Sequence, residues 1–209
     1  MGVERARVTE VHAATSASGR AGSGYLLTDR LVLTAGAVAG RRGSTHVRPA
    51  GTGSWLPASL VWTSPRGDAA LLEVDDDPAL FTAPAPPRWG DLRGDRPVGV
   101  TAIGFPPAES RPQWARDPEQ LVAHVTPSGS PTLALAASRP VGDGMCGAAL
   151  FAGPNLVGVL VLNGGRMVAV PAAPLLGDEV FARLVGGDSG VAVVPVSTAA
   201  SVFPILHRP

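Results

Sequence analysis

The chain has 209 residues with 17 acidic and 17 basic side chains, a formal net charge of zero, so it offers no excess of positive charge for a polyanion and nucleic acid is not expected as a partner. No apolar stretch approaches the ~18 residues of a membrane span and no basic segment leads into an apolar run at the start, which argues against a membrane and for a cytoplasmic location. One Cys excludes an internal disulfide and fits a reducing compartment, and four scattered His give no metal-ligand spacing, so neither metal nor cofactor is expected.

With 26 Gly and 21 Pro among many Val and Thr, short strands and frequent turns are favoured over long helices. Every basic residue is Arg, which together with the excess of Ala, Gly and Pro reads as the codon bias of a high-GC, bacterial genome. Strands are predicted over residues 4–11, 23–28, 31–35, 45–48, 58–63 and 69–74, enough for one six-stranded barrel. The run Ala83-Pro84-Ala85-Pro86-Pro87 cannot pair in the middle of a sheet, because Pro lacks the ladder donor, and marks an extended crossing. A second set of strands follows over 98–104, 120–126, 132–137, 148–151, 156–162 and 167–171. Leu175, Leu176, Val180, Phe181 and Leu184 then recur at helical spacing over 173–185. The expected organisation is all-β: an N-terminal barrel over 1–82, a connector over 83–97, a C-terminal barrel over 98–172, a short helix over 173–186, and a tail or linker to further domains of the same polypeptide over 187–209.

The segment Val141-Gly142-Asp143-Gly144-Met145-Cys146-Gly147-Ala148-Ala149-Leu150-Phe151 carries the chemistry. A Gly-bounded turn that presents one small nucleophilic side chain, then runs into apolar strands, is how an acyl-transfer enzyme holds a nucleophile over backbone N–H donors. With Leu156-Val157-Gly158-Val159 behind it, this segment resembles the nucleophile loop of trypsin-like peptidases, Gly-Asp-Ser-Gly-Gly-Pro-Leu followed by Leu-Val-Gly-Val; Met145 stands where Asp is common and Cys146 where Ser is expected. Two further segments are similar to the same family. Gly22-Ser23-Gly24-Tyr25 leading to Leu33-Thr34-Ala35-Gly36-Ala37-Val38 matches Gly-Ser-Gly-Phe leading to Leu-Thr-Ala-Ala-His-Val, and Asp68-Ala69-Ala70-Leu71-Leu72 matches Asp-Ile-Ala-Leu-Leu.

By that resemblance the fold is a double β-barrel with a cleft between its halves, Ala37 stands at the position of the general-base His, Asp68 at the carboxylate that orients it, and Cys146 at the nucleophile. The N–H groups of Gly144 and Cys146 are the expected oxyanion hole. Pro140, six residues before the nucleophile, is implied at the base of the substrate pocket, with Val161 and Leu162 as an apolar wall. An unperturbed thiol of pKa ~8.5 is mostly protonated at neutral pH, so without an imidazole the expectation is a pseudoprotease whose cleft binds a peptide or protein segment. The loop also resembles Gly-Met-Ser-Gly-Ala-Ala-Leu-Phe of trypsin-like domains in large bacterial signalling or conflict-system proteins, which implies a recruitment or regulatory role. The alternative is an active peptidase that uses Cys146 and whose base has been replaced at Ala37. His12, His46, His124 and His207 are read as surface or strand residues, and Gly187-Asp188-Ser189-Gly190, which lacks the strand that should follow it, as a linker.

Overall fold

The computed structural model describes residues 4–14, 20–40, 44–66, 68–75, 85–106, 117–186 and 191–197. Strands β1 (Val8–Ala13), β2 (Arg20–Leu26) and β3 (Leu31–Ala35), the one-turn helix α1 (Gly36–Ala39), and strands β4 (Thr45–Pro49), β5 (Leu56–Thr63) and β6 (Ala69–Val74) form the first half. Its strands close in the order β1-β2-β3-β6-β5-β4, antiparallel throughout. Alternation is broken at one point that matters. Between Leu60 and Trp62 the β5–β6 register slips, and this bulge turns Trp62 inward. Strand β3 is buried at every position, so both of its faces are covered: one by the barrel interior, the other by packing across to the second half.

After β7 (Arg88–Leu92), strands β8 (Val98–Gly104), β9 (Glu119–Val125), β10 (Leu133–Ala137), β11 (Ala149–Ala152), β12 (Asn155–Asn163) and β13 (Arg166–Pro171) make the second half. They run in the order β11-β8-β9-β10-β13-β12, and the β11–β12 pairing closes the ring. On β9, Leu121, Ala123 and Val125 point inward while Gln120, Val122 and His124 face out, the period expected of a strand with one buried face. Met145 lies in this barrel's interior cluster with Leu150 and Leu160, so the residue standing where the family pattern has Asp is here a core side chain.

The helical stretch expected over 173–185 is two helices, α2 (Ala172–Leu176) and α3 (Glu179–Gly186). Asp178 makes the break: its Oδ1 accepts the N–H groups of Val180 and Phe181, each at 3.0 Å, as an N-cap does. The same Oδ1 accepts Trp62 Nε1–H at 3.1 Å, tying the cap to the first barrel. Two strands fall where none is predicted: β7 lies within the stretch read as a connector and β14 (Val193–Val196) within the stretch read as a tail. Both pair in parallel, β14 on β7 and β7 on β12, so no hairpin turn announces them. Pro195 is tolerated because β14 ends the sheet.

Candidate active site

The end of β3 and the start of β6 are register partners at Ala35 and Ala69, which sets the residues just beyond them side by side. The Gly36 N–H donates to the Asp68 carbonyl at 3.1 Å, and Ala37 follows on α1 with its side chain exposed. Asp68 is held from below by Ser64: the Ser64 hydroxyl donates to Asp68 Oδ1 and accepts the N–H of Asp68 at 3.0 Å and of Ala69 at 3.2 Å. Ala37 and Asp68 line one cavity of about 380 Å³ together with Arg66, Pro131, Thr132, Val161, Leu162 and Asn163. None of the described histidines reaches it: His12 and His46 face each other across β1 and β4, and His124 sits on β9. His207 and Gly187-Asp188-Ser189-Gly190 lie outside the described residues.

The Cys146 loop is clamped onto the first barrel by its backbone. Ser23 N–H donates to the Cys146 carbonyl at 2.7 Å, and the Ser23 hydroxyl donates to the Gly144 carbonyl at 2.7 Å while accepting Phe105 N–H at 2.8 Å. Gly147 N–H and the Leu160 carbonyl bond at 2.7 Å, so the loop is also stitched to β12. Gly22 is required at this junction, because a Cβ there would lie 2.6 Å from both the Cys146 carbonyl oxygen and Val38 Cγ2. These contacts bring Cys146 and α1 together on either side of β2.

Of the two N–H groups expected as an oxyanion hole, that of Cys146 is turned into its own loop. Residues Asp143–Met145 make a turn of 3₁₀ helix, and the Cys146 N–H donates to the Asp143 carbonyl at 2.9 Å, folded back into its own loop. Beside it, the Gly144 carbonyl accepts the Ser23 hydroxyl, and a Cβ on Gly144 would meet the Phe105 carbonyl oxygen at 2.5 Å. Pro140 lines a depression of about 350 Å³ with Glu119, Leu121, Val141 and Met145, while Val161 and Leu162 line the cavity at Ala37 and Asp68. Its neighbour Arg139 makes an exposed ion pair of 2.7 Å with Glu119 on β9.

The sequence profile of the trypsin-like peptidase domain matches residues 22–159, two thirds of the chain and all three segments that meet at this site. The chain belongs to the trypsin-like peptidase domain family.

Solved structures with the same fold include the active form of the Rv3671c protease from M. tuberculosis, with 16% identity, 83% of this chain and 79% of that chain covered, and a TM-score of 0.61. Deg5 aligns with 15% identity, 90% and 92% coverage and a TM-score of 0.65. The serine endoprotease from Yersinia pestis aligns with 23% identity and a TM-score of 0.63; 87% of this trypsin-like domain is covered, but only 63% of the Yersinia chain. No curated protein sequence matches the domain. No helix among the described residues is long and apolar enough to cross a membrane.

In this trypsin-like domain the thiol of Cys146 is buried, with 5% of the residue exposed. Burial pushes its pKa above the usual value; a hydrogen bond with the Leu162 backbone opposes the rise, Asp143 adds to it, and Arg20 opposes it. The sign is therefore toward less thiolate than in free cysteine at any given pH. Alkylation of Cys146 by iodoacetamide is expected to be slow at neutral pH and to accelerate only as the pH passes the free-thiol range near ~8.5. Fast labelling at mildly acidic pH would contradict this.

Three residues at the site carried no sequence-level assignment. Ser64 has a readable signal in its spacing of four from Asp68, which suits a local side-chain-to-backbone turn. Arg66 is part of the Asp68 motif but has no role implied by the resemblance. Arg20, whose Nη1 donates to the Ala37 carbonyl at 3.0 Å, had no signal at all, because 17 residues separate the pair.

Proposed function

We propose that this trypsin-like domain binds an extended peptide segment in the cleft between its barrels without hydrolysing it, as a recruitment or regulatory module of a larger bacterial protein. The observation that carries this reading is the Cys146 N–H: it is committed to the Asp143 carbonyl and is not available to an oxyanion, while a methyl at Ala37 supplies no base. Binding needs neither. Along β12, Leu160 uses its outward N–H and carbonyl on Ala148 and Gly147, and Leu162, two residues on, lies past that last pairing and is 40% exposed. An incoming strand that continues this edge would place its side chains against Leu162, Thr132 and Pro131.

A second reading, an active peptidase with Cys146 as nucleophile, is favoured by one specific observation. The Leu162 backbone and Arg20 both favour the thiolate, although burial outweighs them. Hydrolysis of casein and of a fluorogenic peptide mixture by the domain and by its Cys146→Ala variant separates the two. Expected is the same background rate for both proteins; turnover that disappears with Cys146→Ala would overturn the binding reading in favour of the peptidase.

A further inference from the structure

We propose that the cavity lined by Arg66 and Asp68 selects the bound segment by a carboxamide, the side chain of a glutamine or asparagine. This deepens the reading of the cleft as one that accepts an extended peptide, and rests on it. Arg66 and Asp68 are two residues apart, so their Cα atoms lie within about 7 Å of each other, and both line one cavity of about 380 Å³. They do not pair with each other. Asp68 Oδ1 takes the Ser64 hydroxyl, and the exposed Arg66 guanidinium has no hydrogen bond or ion pair among the described residues. One open acceptor and one open donor of opposite charge are thus left to whatever enters the cavity. Thr132 and Asn163, which each donate and accept, line it too, and Pro131, Val161 and Leu162 supply its apolar surface.

The side-chain classes divide cleanly against that pair. A carboxylate suits Arg66 but meets Asp68 as a like charge, and an ammonium or guanidinium suits Asp68 but meets Arg66 as one. An aliphatic side chain takes water from both charged groups and returns no hydrogen bond to either. A hydroxyl carries its donor and acceptor on one atom and cannot reach toward both groups at once. A histidine ring offers a donor and an acceptor when neutral, yet its protonated form keeps only donors and repels Arg66. A carboxamide is neutral at every working pH, with a carbonyl oxygen for the guanidinium and an NH₂ for the carboxylate on opposite sides of one carbon.

The test is a guest series in a short, fluorescein-labelled extended peptide whose central position is glutamine, leucine, glutamate or lysine, with binding read by anisotropy at neutral pH and fixed ionic strength. Glutamine is expected to bind tightest, by about tenfold over each of the others, the size expected of a hydrogen bond to a charged group. Two variants then move the preference in opposite directions. Arg66→Ala removes the cation and is expected to shift the preference from glutamine to lysine. Asp68→Asn, near-isosteric and able to keep the Ser64 contact, removes the anion and is expected to shift it from glutamine to glutamate. A merely structural role for either residue would weaken all four peptides alike. Leucine binding as tightly as glutamine, or one order of guests shared by all three proteins, would overturn the carboxamide preference and leave the peptide reading standing. Absence of binding for every guest would instead end the peptide reading, and the preference with it.

Discussion

Gly147→Ala is expected to lower the melting temperature by roughly 5–20 °C. Gly147 has φ of +90°, where an L side chain costs about 1–2 kcal/mol. Its Cβ would also fall inside contact distance of the Ser23 carbonyl oxygen and Thr34 Oγ1, and 3.0 Å from the Ala35 nitrogen. Two of these three are backbone atoms of the first barrel, themselves bonded within it, and cannot step aside as a flexible side chain would. Forcing an extra carbon into such a place costs about 1–3 kcal/mol beyond the dihedral strain. A sum of about 2–5 kcal/mol, at ~2–4 °C per kcal/mol for a domain of this size, gives the stated range. Gly153→Ala is the control. It has φ of +56° with nothing within 4 Å of its Cβ, so it bears the dihedral strain alone. Thermal unfolding curves for the two variants that coincide would show that the barrel contact at Gly147 is not what constrains it.

Phe181→Ala is expected to cost about 3–5 kcal/mol, the usual range for emptying a fully buried aromatic site. Phe181 is 0% exposed on α3, with its ring 4.7 Å from Trp62 of β5 and 5.9 Å from Trp89 of β7. It thus joins the first barrel, the helix and the connecting strand in one aromatic cluster. Removing it leaves a void that Asp178 and the Trp62 indole N–H frame but cannot fill. The expected readout is a lower denaturation midpoint together with red-shifted tryptophan emission in the native state. Loss of stability without any spectral change would mean that the cluster collapses around the gap.

Most of the two barrels was legible in the sequence because each of the twelve barrel strands carries its own apolar pattern and turn punctuation. β7 and β14 were not, since Trp89-Gly90-Asp91 has little alternation and Val193–Val196 contains a Pro; both depend on parallel partners distant in the chain. The break between α2 and α3 was written at Gly177-Asp178 but masked by the helical spacing of the leucines around it. At the site, spacing carried the neighbourhood of Ala37 and Asp68, which line one cavity, since motifs at the ends of paired strands have little choice about where they meet. The direction of the Cys146 N–H was beyond reach. The loop around it is held at the Gly144 carbonyl by a hydroxyl 121 residues away, on Ser23, which no local spacing announces.

The seam that holds the Cys146 loop is built from main-chain donors and acceptors, the Ser23 hydroxyl, and glycines that leave room for close approach. The Cys146 side chain is packed in the core beside this seam but supplies none of the seam's own bonds. A small side chain of similar volume at residue 146 therefore keeps the bonds that join the barrels, whatever its chemistry. A lineage can exchange or abandon a reactive group at this position in a single step and keep the groove around it, ready for whatever the groove is next selected to hold.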